Sequence, residues 1–288
     1  MSPLAQPERK FPMHPILFHI VNFPIHSYGL MLALSFLFGI WFASKRAQKN
    51  NLEPGVISDV GFYLILSAII GARLYYVLLH FEEFKGDLTG IFNPFHAGSL
   101  GIGGLVMYGG FIGALLASVI YFKVKKLPFL PYADAVAPTI GFGIFLTRIG
   151  CFLNGCCFGA PTHSKIGLSF PANSPAGAYQ HECHASALYP SQLIESVGGL
   201  VIALIVLIVG RKKTPVGLQF YLTGLLYSVL RFGVDFTRFY SPQERLGGLS
   251  HNQIVCIVFF VVFSGLILKS LLFKESPAEK PTAPIAAE

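Results

Sequence analysis

Arg73, Arg148 and Arg231 each interrupt a long apolar stretch of this 288-residue chain. A guanidinium at membrane depth costs at least about 2.5 to 3.5 kcal/mol even on a lenient insertion scale, and arginine does not shed its proton to escape that cost. Such residues persist where they face a polar cavity, a partner or an anionic ligand. The planar fork of arginine donors matches phosphate oxygens two at a time, and a low-dielectric surround strengthens the pairing. Recognition of an anionic lipid headgroup is the chemistry this pattern invites. Asp235 lies four residues after Arg231 and three before Arg238, so on a helix the three share a face and one carboxylate can orient both guanidiniums. The plain alternative for Arg73 or Arg238 is snorkelling to the interface, and for Tyr28 an aromatic belt.

Composition dictates the elements that carry these residues. With 53% hydrophobic and 12% charged residues and a mean hydropathy of +0.61, the chain lies far from soluble domains, of which about a quarter is charged. The expected class is all-α, a polytopic membrane protein. Apolar runs at 27–44, 57–79, 100–122, 132–153, 188–209, 217–236 and 250–272 predict about seven spans, each near the roughly 20 residues that cross a bilayer. Residues 1–275 read as a single transmembrane domain with a small external loop or head at about 155–187. The Pro-, Ala- and Glu-rich tail 276–288 is expected to be disordered.

Orientation follows from the basic loops, which stay cytoplasmic. Lys45, Arg46 and Lys49, then Lys123, Lys125 and Lys126, then Arg211, Lys212 and Lys213, with Lys269 and Lys274, fall on one side of a seven-span arrangement. The N-terminus is thereby predicted outside and the C-terminus inside. Prolines break up residues 1–25, so no cleavable signal peptide is expected and the first span acts as the targeting signal. The net charge of +7 follows from this topology and the anionic inner leaflet, and implies no nucleic-acid partner.

In that frame Arg73, Arg148 and Arg231 lie late in the second, fourth and sixth spans. Tyr28, Tyr108, Gln192 with Glu195, and His251 with Gln253 lie early in the first, third, fifth and seventh. All seven spans send polar side chains to the outer half of the membrane. Glycines 101, 103, 104, 109, 110 and 113 crowd the start of the third span. They serve either close helix packing or the approach of backbone to a ligand.

Five separated motifs then show a resemblance. His26-Ser27-Tyr28-Gly29-Leu30-Met31, Gly71-Ala72-Arg73, Arg148-Ile149-Gly150-Cys151-Phe152-Leu153-Asn154-Gly155, Tyr189-Pro190-Ser191-Gln192-Leu193-Ile194-Glu195, and Tyr227 with Arg231-Phe232-Gly233-Val234-Asp235-Phe236-Thr237-Arg238 resemble, in order, motifs of the prolipoprotein diacylglyceryl transferases. The resemblance runs from about His14 to Leu272, with Thr147 in place of the first Gly of the family's signature. It implies a bacterial inner-membrane transferase, with its active site toward the outer face. That enzyme moves a diacylglyceryl group from phosphatidylglycerol to the lipobox cysteine of a prolipoprotein, leaving glycerol phosphate. No cofactor and no metal are expected, and a monomer is. The implied catalytic residues are Arg148, Arg231, Tyr108 and Asp235. The implied substrate contacts are Tyr28, Arg73, Asn154, Arg238, Gly103, Gly104, Gly109, Gly110, Gln192 and Glu195.

The chain departs from the family in three places. Tyr108 stands where a histidine is usual, and its unperturbed pKa is near 10, so it serves as a hydrogen-bond donor or, if depressed by arginines, as a base. Asp235 replaces a glutamate. Cys151 and Cys156 replace an asparagine and a glutamate, with Cys157 beside them and Cys183 and His184 further on. Three uses of the cysteines stay open: a bridge from Cys151, Cys156 or Cys157 to Cys183, free packed thiols, or a metal set from Cys156, Cys157, His181, Cys183 and His184. Cys256 reads as a packed small residue. The competing functions are a thiol-redox membrane enzyme, which leaves the arginines unexplained, and a lipid-binding module, transporter or catalytically altered paralogue. Transporters commonly show internal repeats, and none is evident here.

Overall fold

The computed structural model describes residues 13–21, 23–84, 106–240 and 245–273. A hairpin of β1 (Ile16–Ile20) and β2 (Phe23–His26) leads directly into α1 (Ser27–Lys49). After it come α2 (Pro54–Leu79), a 3-10 turn at Phe81–Phe84, α3 (Met107–Val124), α4 (Phe129–Asn154) and the short α5 (Pro175–Glu182). The chain continues through α6 (Ser191–Val209), α7 (Leu218–Asp235), a second hairpin of β3 (Arg245–Leu246) and β4 (Leu249–Ser250), and α8 (His251–Leu272).

The long helices coincide with the seven apolar runs. Helices α1, α2, α4, α6 and α8 are long and apolar enough to cross a membrane. Helix α3 is apolar over a shorter stretch, Gly109–Val124, and the 18 residues of α7 include Gln219, Arg231 and Asp235. Trp41, Phe62, Leu78, Phe111, Val261 and Leu272 are exposed. Such a coat of apolar side chains is a liability in water and the natural surface in lipid. The chain is an all-α polytopic membrane protein. Gly103, Gly104 and the tail 276–288 lie outside the described residues.

Two compact units divide the chain: Ser44–Tyr132, and Met1–Ala43 together with Ala133–Glu288. In the first, α2 and α3 pack backbone to backbone. A Cβ added at Gly71 would strike the Gly109 carbonyl, one at Gly109 the Gly71 carbonyl, and one at Gly113 the Ser67 carbonyl. Small residues permit this close approach, the usual device of membrane helices. Tyr121 ties the same pair together through a 3.0 Å hydrogen bond to Asp59.

In the second unit Ala137, Ile202 and Val206, from α4 and α6, form a core against Phe220, Leu222, Leu226, Tyr227 and Leu230 of α7. Near the start of α4, Asp134 accepts from the Gly217 amide at 2.6 Å and the Phe220 amide at 2.9 Å. It thereby satisfies amides that α7 leaves without intrahelical partners, and it places a negative charge at the positive end of that helix. Gly217 accommodates the φ of +86° this entry requires.

The external segment is more ordered than a loop. Ser174 caps α5 through the Gly177 amide at 3.1 Å. Buried Gln180 accepts from the Phe170 amide and donates to the Ala185 and Ser186 carbonyls, and Phe170, Ala176 and Leu188 pack as a small core. Pro161 and Leu168 each form an isolated antiparallel bridge with Leu188.

Candidate functional site

Helices α4 and α7 each carry an arginine near the C-terminal end, and α6 a carboxylate in its first turns. Arg148 Nη2 donates to Glu195 Oε1 at 2.8 Å, with the Glu195 side chain 1% exposed. Arg231 Nη2 pairs with Asp235 Oδ1 at 3.2 Å, and Glu195 also acts electrostatically on Arg231. Tyr227, one turn before Arg231, lies in the field of Glu195, Arg231 and Arg148 together. Each arginine is thus held by its own buried carboxylate, Arg148 by Glu195 of α6 and Arg231 by Asp235 of its own helix.

Several polar atoms there have no partner among the described residues. Glu195 Oε2, Arg231 Nη1, Arg238 Nε and Gln192 Oε1 are buried without a hydrogen bond. Buried polar groups are normally paired, and leaving one unsatisfied costs about 1 to 3 kcal/mol. The spare N–H groups of Arg231 and Arg238 suit an anionic occupant, while the Gln192 oxygen and Glu195 Oε2, which only accept, suit the hydroxyl donors of a polar headgroup.

Asp235 does more than the sequence suggested for one arginine and less for the other. It accepts from Tyr240 at 2.6 Å and from the Ser250 hydroxyl, while Asn252 donates to the Tyr240 oxygen at 2.9 Å. The end of α7 is thus bound to the start of α8, where Ser250 also forms the capping box with Gln253. Arg238 is not held by the Asp235 carboxylate. Helix α7 ends at Asp235, so the helical spacing that would bring the two together is lost, and Arg238 Nη2 instead reaches the Cys157 carbonyl at 3.4 Å.

Gln192 donates to the Cys156 carbonyl at 2.8 Å, and Asn154 is the last residue of α4. Tyr28 is the second residue of α1, whose backbone approaches α4 at Gly150; a Cβ there would lie 3.2 Å from the Tyr28 Cα. The Tyr28 ring is 38% exposed and in the field of Arg148 and the neighbouring cysteines. Arg73, in the other unit, lies over the rings of Tyr76 at 5.6 Å and Phe84 at 5.5 Å. Gly109 and Gly110 serve the α2–α3 contact described above, Gly110 against the Ala68 carbonyl. Tyr108 belongs to the first turn of α3, and its side chain, with Gly103 and Gly104, lies outside the described residues. Tyr227 and Tyr240 were given no role from the sequence. The four-residue spacing of Tyr227 from Arg231 was the available signal, whereas Tyr240 reaches Asp235 through a turn that carries none.

Among the described residues the cysteines are free, so the bridge to Cys183, one of the three uses left open, is not formed. Cys183 instead caps α5 and is exposed. Cys151, Cys156 and Cys157 gather, with their sulfurs all within 4.8 Å of one another. The Cys157 thiol is held far below the ordinary thiol range by hydrogen bonds from Cys151 and Cys156 and by the charges of Arg148 and Arg238, which together outweigh its burial. Cys256 is buried in α8, as expected.

A family model of the prolipoprotein diacylglyceryl transferases matches residues 15–269. The chain belongs to the prolipoprotein diacylglyceryl transferase family. The phosphatidylglycerol–prolipoprotein diacylglyceryl transferase of Nitratidesulfovibrio vulgaris is 33% identical over 261 residues, covering 88% of this chain and 92% of that protein. That of Clostridium tetani is 31% identical over 250 residues, 87% and 95% of the two chains. A protein of Clostridium perfringens, numbered the second such transferase, is 30% identical over 261 residues, 90% and 95%. The transferase family thus covers both the arginine helices and the α2–α3 pair.

Proposed function

We propose that this membrane protein transfers a diacylglyceryl group from phosphatidylglycerol to the thiol of a lipobox cysteine in a prolipoprotein. The observation that supports the reading is the pairing of Arg148 with Glu195 and of Arg231 with Asp235, both carboxylates buried, with Arg231 Nη1 left over in a buried position. In the reaction the substrate sulfur attacks the diacylglyceryl carbon bonded to a phosphate oxygen. The carbon–sulfur bond forms, the carbon–oxygen bond breaks, and glycerol phosphate leaves.

The phosphodiester carries one negative charge, and the departing phosphate monoester gains a second. Guanidinium donors aimed at the phosphate bind that developing charge more tightly than the bound lipid, which is what lowers the barrier. In this reading Arg148 and Arg231 clamp the phosphate and Asp235 fixes Arg231. Arg238, Asn154 and Gln192 line the headgroup side, and Tyr28 meets the lipid or the incoming precursor. Within the same 1–275 transferase domain, Tyr108 takes a catalytic role and Arg73, Gly103, Gly104, Gly109 and Gly110 contact substrate. The nucleophile comes from the substrate, so the protein's work is positioning and electrostatics.

Orientation is part of the same proposal. Arg211, Lys212 and Lys213 follow the C-terminal end of α6, opposite the end that carries Gln192 and Glu195. Basic residues stay cytoplasmic, which puts the arginine pair toward the outer face of a bacterial inner membrane, with the N-terminus outside and one chain forming a complete site. The test is rescue of cells depleted of their own diacylglyceryl transferase, read as a gel shift of a reporter prolipoprotein. A shift that needs both Arg148 and Arg231 supports the reading. A well-expressed, folded protein that gives no shift would overturn it and favour a lipid-binding paralogue.

A further inference from the structure

We propose that Cys151, Cys156 and Cys157 form a three-thiolate binding site for a thiophilic d10 cation, the class of Cu⁺, Zn²⁺ and Cd²⁺. This goes beyond the transferase reading and revises the expectation of no metal. It also replaces the set that spacing suggested, since Cys183 and His184 sit with α5 instead of with Cys156 and Cys157.

The end of α4 builds the site. Cys151 is buried in the last turn of that helix. Gly155, at φ +72°, reverses the chain, and Cys157 adopts a left-handed φ of +58°. The Cys156 amide returns to the Cys151 carbonyl at 3.1 Å, which folds the two following thiols back over the first. Three sulfurs bound to one ion at about 2.3 Å stand roughly 4 Å apart, and these three already lie within 4.8 Å of one another. Rotations of the side chains close the difference.

The surroundings hold that loop and favour a charged complex. Gln192 Nε2 binds the Cys156 carbonyl at 2.8 Å and Arg238 Nη2 the Cys157 carbonyl at 3.4 Å. These contacts fix the backbone that carries two of the ligands, the part that outer-shell hydrogen bonds play in metal sites. Three thiolates with a monovalent or divalent ion keep net negative charge, and Arg148 Nη1 lies 4.0 Å from Cys151 Sγ. Among the described residues the group contains sulfur alone, with neither imidazole nor carboxylate, and sulfur ligands select soft cations over Mg²⁺ or Ca²⁺.

The test is titration of the purified, phosphine-reduced full-length protein with Cd²⁺, following thiolate-to-cadmium charge-transfer absorption and bound metal per chain. One Cd²⁺ per chain is expected, unchanged in Cys183→Ser and Cys256→Ser and absent in the triple Cys151→Ser, Cys156→Ser, Cys157→Ser variant. Because that triple variant could misfold, each single Ser variant is titrated too, after its melting profile matches the parent, and each must weaken binding. Failure of the reduced parent to bind, or binding that survives in the triple variant, overturns the site. Formation of a disulfide within the trio in place of metal uptake overturns it as well. None of these readouts uses transfer activity, so the outcome is separate from that of the gel-shift rescue.

Discussion

Arg148 and Arg73 are the same residue type in the same kind of apolar helix, and the fold treats them differently. Arg148 meets a buried carboxylate at 2.8 Å. Arg73 counts two aromatic rings among its contacts. A guanidinium over a ring face gains a modest, non-directional attraction. A guanidinium set by a carboxylate is fixed in orientation, with its remaining N–H groups aimed away from that partner, and is suited to receive a second anion. The comparison teaches that the depth of an arginine in a span does not give its role. The role comes from what the neighbouring helices place beside it.

The largest effect expected is on stability. Glu195→Ala removes one member of a buried ion pair and leaves Arg148 uncompensated, which should cost about 3 to 5 kcal/mol. Thermal unfolding in detergent measures this, and a parent-like midpoint would mean that Glu195 does not organise the pair. Next come Arg148→Ala and Arg231→Ala, each expected to lower the turnover of a purified transfer assay about 10²- to 10³-fold, the loss typical of one charge-stabilising donor. If Arg73→Ala proved as damaging as either, the contrast between the two kinds of arginine would collapse.

Gly109→Ala should destabilise by about 1 to 3 kcal/mol through overpacking, because its new methyl meets the Gly71 carbonyl and the Tyr75 side chain. An unchanged melting profile would free Gly109 for a direct role toward substrate. Smallest is Arg73→Lys. Lysine keeps the positive charge that the rings and any anionic neighbour meet, so turnover should fall no more than about two- to five-fold, the equivalent of roughly 0.5 to 1 kcal/mol.

Helix positions and the family were legible because both depend on local pattern. Each apolar run became one long helix, and the Tyr28, Arg148, Gln192–Glu195 and Arg231–Asp235 motifs lie on the helices expected of them. The hairpin before α1 was not read, since its strands are short and its side chains alternate poorly in IleLeuPheHisIle. Tertiary pairings were out of reach as well. That Glu195 partners Arg148 rests on a contact between residues 47 apart, and Arg238 lost its expected partner because the helix stops three residues too soon. The gathering of Cys151 with Cys156 and Cys157 needed the left-handed turn at Gly155, a backbone detail that cysteine spacing does not announce.

The Asp134 contact acts as a ruler. Arg148 lies fourteen residues beyond Asp134, and Arg231 fourteen beyond Gly217, the residue whose amide Asp134 holds. Two helices pinned at the same level and counted out by the same number of residues, about 21 Å at 1.5 Å each, bring their arginines to matching depth. A single carboxylate near one membrane face thereby sets the level of the two cations near the other.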